Sequence, residues 1–305
     1  MTTIPVLRSN SRADLLAIPS YIFEFHPSES VVVIAMRENI VAFSARLEAN
    51  WFETQFDQTA NQLINASARL GSCHFLLLGY SKDLELAYIG VREAAEVLGM
   101  YRVSEALITN GSEYWSLPDG VGPVPYDPDT SPITAQAVYS GVNIAASREE
   151  AVAPVVEWDP PSEDVLCQAL DDIQALLPDE RLSLLQELIE SDPPVGGEDA
   201  LNLACLMMDE ECAAAVLAAL NMANAEVLWA NLSAARRVTP IVAEPTVVSL
   251  LGLSSWLAGR GAQASACVEQ MALLEPCHPI GGLLTRIHLG GIAPQEWECV
   301  IGEHG

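Results

Sequence analysis

The stretch SVVVIAMRENIVAFSARLE, residues 30–48, holds two runs rich in β-branched residues on either side of Glu38-Asn39. Val31–Ile34 offers four consecutive β-branched side chains, which fit a pleated surface and lose rotamer freedom in a helix. Two such runs around a two-residue break predict a tight hairpin. SCHFLLLGY (72–80) is apolar without alternation, so both of its faces need cover and it belongs in the middle of a sheet.

Helical patterns fall between these strands. SRADLLA (11–17) reads as a short helix capped by Ser11, with Asp14 completing a capping box and Pro19 ending it. WFETQFDQTANQLINASARLG (51–71) places Phe52, Phe56, Leu63 and Ile64 at helical spacing and stops at Gly71. DLELAYIGVREAAEVLGM (83–100) reads as a helix with Asp83 in its first turn and Gly99 near its end. YRVSEALITN and SEYWSL flank Asn110-Gly111, the signature of a type I′ turn between strands. The resulting order, ββαβαββ, is a mixed α/β (α+β) sheet with crossover helices. PDGVGPVPYDPDTSP (118–132) is too rich in Pro and Gly to continue a helix or a sheet and reads as a surface excursion. Two further helices, ITAQAVYSGV (133–142) and ASREEAVAPVV (146–156), precede EWDPPSED.

Beyond that proline pair every periodic segment is helical. The expected organisation is an α/β domain over 1–160 and an all-helical domain over 161–305. At roughly 100–200 residues per domain, a chain of 305 residues accommodates both. Within the helical part, AQASACVEQMALLEP sets Ala264, Val268, Met271 and Pro276 at the spacings of a tetratricopeptide-type second helix. The WLAGRG turn (256–261) and the lack of a recurring period make this one helical hairpin of similar packing, not an array.

Charge narrows the partners. The chain has 41 acidic residues against 14 basic ones, a net −27, and nucleic-acid affinity comes largely from Lys and Arg neutralising phosphates. Direct binding to nucleic acid or to an anionic membrane is therefore disfavoured. Solubility accounts for the acidity on structural grounds; occupation of a basic partner, or imitation of nucleic acid, is the functional counterpart. The single lysine, Lys82, beside abundant alanine, fits a GC-rich genome. The seven cysteines lack CxxC spacing and sit in apolar contexts, which suggests buried, reduced thiols in a cytoplasmic protein. Cys277, His278, His288 and Cys299 match no common ligand spacing, so no metal or cofactor is expected. The N-terminal residues lack the apolar core of a signal peptide.

No sequence motif specifies an activity: GxxxxGK[ST], GxGxxG opening a helix, GxSxG and HExxH are all missing. The polar cluster in FEFHPSES leaves two readings. In one, His26 with Glu24 or Glu29 forms an acid/base pair and Arg46 holds an anionic ligand. In the other, Pro27 sets the bend into the strand, Ser28 or Ser30 satisfies backbone groups, and Arg46 pairs across the hairpin. The tryptophans read as core or hinge residues, while Trp256, Arg260 and Trp297 are candidate contacts for a protein partner or a second copy.

Three segments in order, DLLAIPSYIFEFHPSESVVVIAM with SARLE, AVYSGVNIAASREE, and LLGLSSWLAGRGAQASACVEQMALLEPCHPIGGLLTRIHLGGIAPQEW, resemble the actinobacterial family called domain of unknown function 4192. The resemblance maps onto Phe25, His26, Pro27, Ser30, Arg46, Trp256, Gly259, Gly261 and Ala264. Glu24 stands where the family pattern has a small residue, and YWSLPDGVGPVP lacks its cysteine-rich segment. It implies an origin in actinobacteria or their bacteriophages and no particular activity. The expectation is a non-catalytic interaction protein; the alternative is a small-molecule site or enzyme at the first hairpin.

Overall fold

Ser30–Arg37 (β1) and Ile40–Glu48 (β2) pair antiparallel from Ser30 opposite Glu48 to Arg37 opposite Ile40, the hairpin that the β-branched runs predict. The computed structural model describes residues 11–38, 40–139 and 144–302; Asn39 of the turn, the first ten residues and the end of ITAQAVYSGV lie outside them.

The sheet has the strand order β2-β1-β3-β4-β5-β6, with β3 at His74–Tyr80, β4 at Val103–Thr109, β5 at Glu113–Ser116 and β6 at Val121–Pro125. Among the six described strands only β3 and β4 run parallel, and Leu84–Leu98 (α4) makes the crossover that a parallel pair requires. Strand β3 is central, as its two-sided apolarity demands. Val31, Val33, Phe75 and Leu77 face α4 and Phe56–Leu70 (α3). Val32, Ile34, Leu76 and Leu78 face Arg12–Phe23 (α1) and Ile133 of Pro132–Tyr139 (α5). Each of these Val, Ile, Leu and Phe side chains contributes about 1.5–3 kcal/mol by leaving water. Gly90 lets α4 approach closely, since a Cβ there would lie 2.6 Å from Val31 Cγ2.

Four local readings are corrected. Pro19 sits inside α1, which continues to Phe23; the Tyr80 hydroxyl donates to the Leu16 carbonyl at 2.9 Å and anchors the helix beside the proline. WFETQFDQ is broken at Gln55 (φ −141°) into Trp51–Thr54 (α2) and α3, so Phe52 and Leu63 are buried whereas Phe56 and Ile64 are exposed. The Asn110-Gly111 turn is not type I′, because of the two only Gly111 has positive φ. Instead Asn110 Oδ1 accepts from the amides of Ser112 (3.0 Å) and Glu113 (2.9 Å), an Asx-type closure. The Pro/Gly-rich excursion supplies β6, an edge strand, where a missing N–H leaves no ladder bond unmade.

The chain divides into two units, Met1–Glu150 and Ala151–Gly305. This division falls ahead of the proline pair that suggested 160. Arg148–Val156 (α6) sends Val152 and Val155 into the helical core. The segment after it is tied down there too, by Trp158 Nε1–H to the Thr239 carbonyl (2.7 Å) and the Asp159 amide to the Arg237 carbonyl (2.6 Å).

The second unit continues through Glu163–Ala175 (α7), Pro178–Ile189 (α8), Gly197–Leu206 (α9), Glu210–Ala219 (α10), Ala225–Arg237 (α11), Glu244–Leu257 (α12), Gly261–Leu274 (α13), Pro279–Gly290 (α14) and Trp297–Gly302 (α15). Helices α12 and α13 form the expected hairpin, with Ala264 and Met271 buried against it. Inside this core lies a polar device whose pairing no local sequence pattern indicates. Arg236 is buried, donating to Glu244 Oε1 (2.9 Å), Gln270 Oε1 (3.2 Å) and the Val155 carbonyl (3.3 Å). Burial pulls the guanidinium below its usual pKa and Glu244 opposes that shift.

Candidate functional site

The residues before β1 are pinned by backbone. Glu24 ends α1 in the left-handed region (φ 61°), where a side chain is disfavoured, which gives a physical reason for a small residue at this position. Its carbonyl accepts from the Ala145 amide (2.7 Å), and the His26 amide donates to the Ala145 carbonyl (3.2 Å). Phe25 is thereby held against residue 145 and fully buried.

His26, Glu29 and Arg46 are brought to one end of the sheet, but each reaches a different partner. His26 Nδ1 lies 3.2 Å from Ser20 Oγ on α1. Glu29 has φ 44°, and its carboxylate turns to the loop after β3, accepting from Ser81 Oγ (2.6 Å) and the Lys82 amide (3.1 Å). Arg46 donates to Glu48 Oε1 (2.8 Å) and the Ser28 carbonyl (3.2 Å), with its guanidinium 5.9 Å from the Phe25 ring centre. Both Glu29 oxygens accept from that loop, and no hydrogen bond joins His26 to Glu29 among the described residues.

Glu29 fastens the β1 entry to the β3–α4 loop. Glu29→Ala is expected to cost about 1–3 kcal/mol, from two lost charge-assisted bonds. Glu29→Gly should cost less, because glycine relieves the positive φ. Urea denaturation of the two variants checks the order; equal costs would remove the backbone contribution.

Of the C-terminal candidates, Trp297 is buried while Trp256 and Arg260 are half-buried. Trp297 is 2% exposed, donating Nε1–H to the Leu220 carbonyl (2.8 Å) and lying edge-on to Trp256 at 5.9 Å. Trp256 donates to the Ile292 carbonyl (3.1 Å). Arg260 stacks 3.7 Å from the Trp229 ring centre and pairs with Glu226. The Trp297 side chain is therefore core and not a contact surface, a correction that follows from its burial.

His278 caps α14: the Gly281 amide donates to Nδ1 (3.3 Å), and Nε2 lies 3.4 Å from Thr246 Oγ1. Among the described residues no three His, Cys, Asp or Glu side chains gather as a metal site requires. All seven cysteines are unpaired; Cys167, Cys277 and Cys299 are exposed, contrary to the uniformly buried thiols expected. Burial pushes Cys205 and Cys212 up to about 11 and Cys267 up to about 12, so these are poor nucleophiles.

A family model described as domain of unknown function (DUF4192) matches residues 13–295. The chain belongs to that family. No curated protein and no solved structure matches it. The DUF4192 match spans both units, so the family is defined by the sheet and the helices together. Among the described residues no helix is long and apolar enough to cross a membrane.

Sequence reasoning missed the surface that the helical unit leaves uncovered. Ile241 and Val242, in the α11–α12 loop, are 70% and 75% exposed, and Leu273 near the end of α13 is 88% exposed. The signal was present in TPIVAEP, two β-branched residues between prolines, but it reads there as punctuation between helices.

Proposed function

We propose that the chain is a non-catalytic binding protein of the actinobacterial cytoplasm, encoded by the bacterium or by its phage, and that its helical unit docks a basic protein partner. The observation that carries this is the charge of that unit. Ala151–Gly305 contains 23 acidic and 5 basic residues, a net −18. Four of those five, Arg181, Arg236, Arg237 and Arg260, pair with acids of the same unit. A field of that sign attracts Lys- and Arg-rich surfaces and speeds their association, with a strong dependence on salt. Seven free thiols suit a reducing compartment.

The experiment is retention of lysate proteins on the immobilised chain. Basic proteins should be held at low ionic strength and released near 1 M salt, where the screening length falls to about 3 Å. Retention of no basic protein at low salt contradicts the proposal.

A second reading, a small-molecule site or enzyme at the first hairpin, is favoured by one observation. Ser30 Oγ and Arg46 Nε are buried without a partner. Ser30 and Arg46 also share the sheet face that carries Val32. Ligand-induced protection of a Ser30→Ala-sensitive thermal transition would support this reading.

A further inference from the structure

We infer that one end of the helical unit is a docking surface for a basic amphipathic helix, resting on the proposal that this unit binds a basic partner. Four chain segments meet there. Helices α11, α12 and α13 pack in succession, so the end of α11, the start of α12 and the end of α13 lie together. Gln270 Nε2 donates to the Val155 carbonyl (3.2 Å), and Leu273 and Leu274 follow one turn beyond Gln270. Trp158 donates to Thr239, two residues before Ile241. Val156, Trp158, Ile241, Val242, Leu273 and Leu274 thus form an apolar set around one end of the unit, and all six are exposed.

Single exposed apolar residues are ordinary, whereas six gathered at one end of a unit are not. The rim selects the occupant. Glu157, Asp159 and Glu275 adjoin the apolar residues in sequence and are exposed, and Arg237 beside them faces Glu157 at 3.7 Å. An apolar centre with an acidic rim complements a helix that carries leucine-like side chains on one face and Lys or Arg beside them. A second copy fits poorly, because it would bring two units of net −18 into apposition.

The test uses the full chain and three synthetic peptides patterned as one helix: Leu/Lys, Ser/Lys with the same charge, and Leu/Glu. Titration should show Leu/Lys binding at least about tenfold more tightly than Ser/Lys, the size expected from burying a few apolar side chains. In the variant Ile241→Ser/Val242→Ser/Leu273→Ser that difference should vanish while charge-driven binding of Ser/Lys persists. Circular dichroism and a thermal melt confirm folding, and Leu273→Ser alone, at the most exposed position, gives a milder version. Equal binding of Leu/Lys and Ser/Lys by the wild type overturns the surface but leaves the basic-partner proposal standing. A wild type that prefers neither lysine peptide over Leu/Glu at low salt overturns both. Sedimentation showing a dimer that the triple variant disperses makes a second copy the occupant and overturns the inference.

Discussion

Trp297→Ala is expected to destabilise the helical unit by about 3–5 kcal/mol, the usual cost of emptying a buried aromatic site. Three losses add up there. The indole is 2% exposed, so its removal leaves a cavity against the core that includes Val300 and the partly buried Trp256. The edge-on contact with Trp256 disappears, a contribution of about 0.5–1.5 kcal/mol beyond area. The Leu220 carbonyl, which accepts the indole N–H at 2.8 Å, loses its side-chain donor. Urea denaturation followed by far-ultraviolet circular dichroism reads the loss, and Trp297→Phe should recover part of it. A loss below about 1 kcal/mol would mean that the short terminal helix is not docked on the unit.

Glu244→Ala should cost about 3–5 kcal/mol, since it leaves the Arg236 guanidinium buried without its counter-charge. Arg236 and Glu244 have side chains only 4% and 11% exposed, so water offers little compensation. The remaining bonds of Arg236, to Gln270 and the Val155 carbonyl, neutralise no charge. The double variant Arg236→Met/Glu244→Leu should be more stable than Glu244→Ala, because an apolar pair of similar volume avoids the desolvation cost altogether. A double-mutant cycle on thermal melts measures the coupling. Glu244→Ala within about 1 kcal/mol of wild type would show the pair to be solvated in solution.

The sheet was legible wherever the local signal and the tertiary environment agree. Val31–Ile34 and Phe75–Leu78 are apolar on both faces and are covered on both faces. Ser11 caps the helix that it precedes. Legibility failed where a tertiary contact outweighs propensity. Pro19 stays helical beside Tyr80, and Val121–Pro125 becomes a strand because an edge position tolerates proline. Gln55 breaks a helix without a Gly or Pro to announce it.

At the candidate site, proximity in sequence suggested convergence. The positive φ at Glu29 turns its carboxylate toward Ser81, away from the pairing that the string FEFHPSES implies. Arg236 could be noticed as a charge on the buried stripe with Leu228 and Leu232, but nothing local indicates that its partners are Glu244 and Gln270.

The claim that binding belongs to the helical unit and not to the hairpin is tested most directly by comparing three immobilised forms for retention of basic proteins at low salt: wild type, His26→Ala/Arg46→Gln, and Ile241→Ser/Val242→Ser/Leu273→Ser. The account predicts that the hairpin variant retains what the wild type retains and that the apolar-surface variant loses the proteins held through a hydrophobic face. Loss in the hairpin variant with full retention by the apolar-surface variant would contradict it.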